Sequence, residues 1–249
     1  SLIRNLEMSI DLAKDFNIPL MPIGYLPDQF GHTSCIPQLL GDLTNYPVAV
    51  IWRGVGEEIN SIFFHWKRHP KALKGIDCIY LPNGYGNAAS LPEKENELKE
   101  TINNLVKDLK PYSPFPVFLL MNGTDHQFPN PALYEKINAI KDNKANIEIS
   151  TLVNFYRRLK ELAIENNYQI PTYYGEFRSP ARAPLLQDTY SARIWIKQWN
   201  QKNEDLLTRY TEPIATYLWY LSKMAYPHQS IQLAWKWLLK NHPHDSICG

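Results

Sequence analysis

Short apolar runs alternate with amphipathic stretches through most of this chain, and that alternation limits the fold more than any single motif does. The chain opens on a helical repeat of Leu2, Leu6, Ile10, Leu12 and Ala13. Strands are expected at 19–27, 46–55, 61–69, 75–84, 114–126, 145–151 and 169–179. Helices are expected at 36–43, 91–110 with Pro92 near the start, 130–143 and 152–167. Strand then helix, repeated, reads as parallel βαβ units, so the expected class is α/β with a partial barrel. From about Tyr190 the pattern turns helical, over 191–225 and 230–240, with Pro213 and Pro227 as breaks. Trp195 and Trp199 have the spacing of a packed helix face, and Trp219 and Trp235 are likewise expected to pack between helices. The expected division is a β/α domain over 1–178 and a helical, three-helix-bundle-like segment over 179–249.

Composition removes several function classes. Lys and Arg total 26 against 25 Asp and Glu, with no basic block or acidic tail, so neither nucleic acid nor an anionic membrane surface is an expected partner. No apolar run is long enough for a transmembrane helix, and no secretory leader pattern is present. Cys35, Cys78 and Cys248 form no CxxC, which suits a reducing cytoplasm better than a disulfide framework. The chain opens inside a periodic helix without a Met and stops abruptly after His-Asp-Ser-Ile-Cys-Gly, and it is expected to be a piece of something longer.

In parallel α/β folds, ligands gather beyond the C-terminal ends of strands. Asp28 lies just past the first expected strand, in Tyr25-Leu26-Pro27-Asp28-Gln29-Phe30-Gly31-His32. Asn122-Gly123-Thr124-Asp125-His126 closes another, and Glu176 with Arg178 follows a third. Two carboxylates on one face suit paired acid/base or nucleophile/acid chemistry, although an Asp at a strand end also commonly caps the next helix. His242-Pro243-His244-Asp245 sets two imidazoles and a carboxylate within four residues, either a metal-ligand segment or a polar helix terminus. His32 reads as a supporting hydrogen-bonder and Cys35 as packing.

Five segments then carry a resemblance: PDQFGHTSCIPQLL, VIWRGV, LMNGTDHQFPNP, the run from YYGEFRSPARAPLLQ to LLTRYTEP, and AWKWLLKNHPHDSICG. In that order they resemble glycoside hydrolase family 38, the zinc-dependent retaining α-mannosidases, in the form of the bacterial branch that includes mannosylglycerate hydrolases. The resemblance implies a (β/α)7-type barrel lacking its first strand. It implies Asp28 as catalytic nucleophile and zinc ligand, Asp125 as general acid/base and His244 as a second zinc ligand. Arg53, Asp245, Phe30 and Tyr85 are implied as substrate-binding residues. One Zn2+ is implied, two of whose ligands would come from a His-x-Asp pair upstream. The substrate would be a mannose-containing glycan or a mannosylglycerate-type compound. A homo-oligomer is a further expectation, because an incomplete barrel exposes apolar strand edges.

Two other classes are open at this point. A metal-dependent sugar deacetylase or amidohydrolase-type barrel needs a metal-activated water and one base, with no covalent carboxylate. A non-catalytic carbohydrate-binding module would leave the Asp28 and Asp125 loops far apart.

Overall fold

The computed structural model describes residues 1–44, 46–140 and 146–249. They form two compact units, one of Met21–Leu185 and one of Ser1–Leu20 with Leu186–Gly249.

The larger unit is mixed α/β. Its strands are β1 (Ile23–Leu26), β2 (Val48–Ile51), β3 (Phe63–Lys67), β4 (Ile76–Tyr80) and β5 (Thr172–Tyr174), in the sheet order β1-β2-β4-β3-β5. The pairs β1–β2, β2–β4 and β3–β5 are parallel. Every residue of β2 and β4 is buried, which explains their unbroken apolar character in place of alternation. In sequence, α2 (Ile36–Leu43) lies between β1 and β2. The helices α3 (Glu95–Leu109), α4 (Leu133–Ala139) and α5 (Leu152–Glu165) come between β4 and β5. Thr151 caps α5 through its hydroxyl, which accepts from the Asn154 amide at 3.2 Å. Phe155, Leu159 and Leu162 of α5 join Val48, Val50, Phe63 and Ile79 of the sheet in one core. Each such side chain contributes about 1.5–3 kcal/mol.

Three features depart from the sequence reading. First, β3 runs antiparallel to β4. Residues 68–75 separate them, and a parallel crossover takes about a dozen residues or more, so the two strands can pair only as a hairpin. Second, 114–126 is not a strand. Pro114 and Pro116 remove backbone donors, and Asn87 takes over the ladder's work, its amide bonding the Leu119 carbonyl at 3.3 Å and its oxygen the Met121 amide at 2.7 Å. Third, 146–150 forms no strand either. Residues 141–143 of the expected helix and residue 145 of this expected strand lie outside the described residues.

The smaller unit is helical: α1 (Leu2–Asp15), α6 (Ile194–Asp205), α7 (Glu212–Ser222), α8 (His228–Leu239) and α9 (His244–Ile247). Pro213 does not break its helix. A π-helical stretch, Leu206–Thr211, joins α6 to α7, and the proline takes the first turn of α7, where a missing N–H costs nothing. Pro227 does stand at a boundary, as N-cap of α8. Trp235 is buried with Leu207, Ile231 and Leu238, and its indole N–H donates to Glu212, which Arg4 also grips. Trp195, Trp199 and Trp219 are instead 58%, 60% and 54% exposed. Helical spacing puts side chains on one face but does not supply a partner for that face.

Candidate active site

β1, β2 and β4 are mutually parallel neighbours, so their C-terminal ends open on one edge of the sheet. Asp28 stands two residues past β1, Arg53 two past β2, and Tyr85 five past β4. Gly31 (φ 108°) and Gly54 (φ 86°) turn the chain behind the first two in the left-handed region. A Cβ on Gly54 would also stand 2.4 Å from the Phe177 carbonyl oxygen. That close approach lets the 177–179 segment bridge both loops: His32 pairs with Phe177, and Gly54 with Ser179.

The result is a cluster of charges and rings. The Arg53 Nε donates to Asp28 Oδ1 at 2.5 Å, and Nη1 donates to the Pro184 carbonyl at 2.5 Å. Its guanidinium lies over the rings of Trp52 (4.2 Å) and Phe30 (5.3 Å), which hold it by cation–π attraction. Both Asp28 and Arg53 side chains are largely covered, at 20% and 14% exposure. The Tyr85 hydroxyl stands 3.3 Å from Asp28 Oδ2 and 2.9 Å from Asp125 Oδ2. Laid end to end those contacts span 6.2 Å, the largest separation the two oxygens can have. Desolvation, the hydrogen bond to Asp125 and the charge of Asp28 push the Tyr85 phenol up to about 12, so it is a hydroxyl at any working pH.

Asp28, Phe30, Arg53, Tyr85 and Asp125 therefore share one site, and the Asp28 and Asp125 loops are not far apart. Neither carboxylate caps a helix. The residue before α2 is Cys35 and the residue before α4 is Ala132. His244 and Asp245 belong to the smaller unit, in the first turn of α9, with His244 Nε2 3.5 Å from Asp245 Oδ1. Glu176 and Arg178 stand 3.7 Å from each other and are exposed.

Sequence reasoning passed over Trp52 and Tyr25 and named His32 only as a supporting hydrogen-bonder. Trp52 seats Arg53 and meets the Tyr85 ring edge-on, with centroids 5.5 Å apart. Tyr25 sits in the fields of both carboxylates, and desolvation together with the charges of Asp125 and Asp28 raises its phenol. The signal for both was adjacency, one residue from Arg53 and three from Asp28. His32 does more than support: it is buried at 3% exposure, its ring edge-on to Trp66 and facing the Arg53 main chain. Its Nε2 has no hydrogen-bond partner, and burial lowers the imidazole to about 4, so it is neutral.

Among the described residues no group of three or more His, Cys, Asp and Glu side chains could hold a metal ion. Asp28 Oδ1 is taken by Arg53. The residues present do not by themselves fit a zinc ion. No helix among the described residues is long and apolar enough to cross a membrane.

Comparison with known proteins adds to this geometry. Residues 1–176 match the N-terminal domain of the glycosyl hydrolases of family 38, and residues 185–249 match the α-mannosidase middle domain. A protein of Halalkalibacterium halodurans named "Putative mannosylglycerate hydrolase" is 29% identical over 259 aligned residues, which take in 99% of this chain and 28% of that protein. The crystal structure of an α-mannosidase from Enterococcus faecalis V583 superposes with a TM-score of 0.87 at 28% identity. That match also covers 99% of this chain and 28% of the other. The chain thus spans just over a quarter of the length of these relatives.

Proposed function

This chain belongs to family 38 of the glycosyl hydrolases, and from that premise we propose that it carries both catalytic carboxylates of an enzyme that hydrolyses α-mannosidic bonds with retention. The observation that carries the proposal is the Tyr85 hydroxyl, whose contacts limit the nearest oxygens of Asp28 and Asp125 to 6.2 Å. Retaining glycosidases hold their carboxyls about 5–5.5 Å apart and inverting ones about 6.5–9.5 Å apart, so the closeness supports a double displacement.

Asp28 is the nucleophile. Its oxygen bonds to the anomeric carbon as the glycosidic C–O bond breaks, and the departing oxygen takes a proton from Asp125. Asp125 then removes a proton from water, whose oxygen bonds to the anomeric carbon. The ester bond breaks and its electron pair returns to Asp28. Arg53 orients the nucleophile through its contact to Oδ1, and Phe30 and Tyr85 line the sugar site. Asp245, on α9 of the smaller unit, is proposed as a substrate-binding residue on the family resemblance alone.

The relatives' names point to a mannoside or a mannosylglycerate-type compound as substrate. We read the sheet as part of a (β/α)7-type barrel and the chain as part of a longer enzyme. Zinc is expected for this family, with Asp28 and His244 each a donor by resemblance, but no step here runs through the ion because the residues present do not by themselves fit it. The three free thiols suit the cytoplasm.

The test is covalent trapping. A fluorinated mannosyl fluoride, incubated with the complete protein, should label the peptide carrying Asp28. Label on another residue would move the nucleophile, and turnover that never passes through a labelled enzyme would end the retaining reading.

A further inference from the structure

We infer that Tyr85 is a positioning residue that joins Asp28 and Asp125 into one hydrogen-bonded chain and turns its hydroxyl from one to the other as charge moves between them. The inference rests on the retaining reading and goes beyond a role in lining the sugar site.

The argument begins with what a phenol can offer. A hydroxyl carries one proton and two lone pairs, so it donates to one neighbour and presents lone pairs to the other. Tyr85 has a carboxylate oxygen on either side, at 3.3 Å and 2.9 Å. Two charged carboxylates would compete for its one proton. One charged and one protonated carboxylate fit it completely. Before reaction, Asp125 O–H donates to the phenol and the phenol donates to Asp28. Once Asp28 is an ester and Asp125 has given its proton to the leaving oxygen, the charge lies on Asp125. The hydroxyl then needs only a rotation about its C–O bond to donate there. Water cleavage reverses both changes, so one rotor serves both half-reactions without leaving the phenol's proton.

The surroundings hold the ring for this task. Trp52, which seats Arg53 over its own ring, meets Tyr85 edge-on at 79°. Gly84 precedes Tyr85 with φ 76°, and a Cβ there would press to 3.2 Å on the same indole. A Cβ on Gly86 would lie 3.1 Å from the Gly123 carbonyl oxygen, so the loop bearing Tyr85 also abuts the loop bearing Asp125. Asp125 is itself exposed, and Tyr85 ties it to the covered Asp28.

The experiment is Tyr85→Phe in the complete protein, assayed on aryl α-mannosides whose leaving groups differ in acidity. Phe keeps the ring and its contact with Trp52, and a thermal melt checks that the variant is folded. General acid assistance contributes about 10²–10⁴-fold. The expected loss in kcat/KM is about 100-fold for a poor leaving group and about tenfold for dinitrophenolate, which departs without a proton. KM should change less than about threefold. A loss equal for all leaving groups and residing in KM would make Tyr85 an ordinary sugar contact and overturn the inference, as would an unchanged rate. The site of the fluorosugar label in the unmodified protein judges the retaining reading separately, because it does not depend on Tyr85.

Discussion

His32 makes this protein sensitive to mild acid, by an amount the structure sets. The imidazole is buried, one ring nitrogen has no partner, and burial lowers it from 6.5 to about 4. The unfolded chain therefore binds this proton more tightly than the folded one. Stability contributed by neutral His32 is complete near pH 7, falls away below the ordinary histidine pKa, and is lost once pH passes the folded value. At about 1.4 kcal/mol per tenfold change in proton affinity, the full loss is about 3 kcal/mol, and most of it is gone by pH 4.5. Carboxylates titrate over the same range, so the measurement is a difference. His32→Phe keeps a ring edge-on to Trp66 and removes both the proton site and the orphaned nitrogen. Because the chain has two compact units, a global melt would mix two transitions. Amide hydrogen exchange at β2 and β4 reads the larger unit alone. Between pH 7 and pH 4.5, the opening free energy of the unmodified protein should drop about 2–3 kcal/mol further than that of the variant. Parallel pH dependences, within about 0.5 kcal/mol, would mean that the buried imidazole is not held neutral and would refute the argument.

Asp77 should also lose stability in acid, because its folded pKa is lowered too, by hydrogen-bond and charge partners rather than by burial. Burial opposes its charge, but His65, Tyr156 (2.7 Å) and Lys160 (3.0 Å) outweigh that and hold its carboxyl below the usual value. Asp77→Asn should therefore destabilise the larger unit by about 1–2 kcal/mol at neutral pH, with the deficit shrinking as pH drops through the folded value; exchange at β3 and β4 measures it. Gly54→Ala meets a carbonyl oxygen at 2.4 Å in a left-handed backbone, so amide exchange at β2 and β4 should show about 3 kcal/mol or more lost, and unchanged exchange would contradict the geometry. Zinc titrated into these 249 residues alone should bind at least about 100-fold more weakly than to a four-donor site, and calorimetry showing tight binding would reveal a donor set that the cluster around Asp28 does not display.

The helices were the most legible elements. α2 spans the expected 36–43, and α1, α3 and α5 fall inside their periodic stretches, because an amphipathic stripe records which face will be buried. The runs that became β2 and β4 were legible for a related reason, since a strand covered on both sides must be apolar throughout. The run at 114–126 is just as apolar, yet a strand needs a backbone neighbour, and there Asn87 takes the place of one. The direction of β3 was readable from the short 68–75 connection, had length been weighed against pattern. Trp195 and Trp199 followed helical spacing and still came out exposed, as did Trp219, which was expected to pack between helices.

Residue type and expected strand-end position were enough to nominate Asp28 and Asp125, whereas Arg53 and Tyr85 were implied only by the family resemblance. By itself the sequence determined most of the helices, the buried strands β2 and β4 and the place of Asp28 beyond β1, all of which depend on near neighbours in the chain. Only the tertiary structure decided that one phenol lies between the two carboxylates, that Trp52 supports both Arg53 and Tyr85, and that His32 is buried without a partner for its Nε2. Apart from the adjacent Trp52 and Arg53, those contacts join residues 33 to 57 positions apart, and such distances are set by how β1, β2 and β4 pair and by where the Asp125 loop comes to rest.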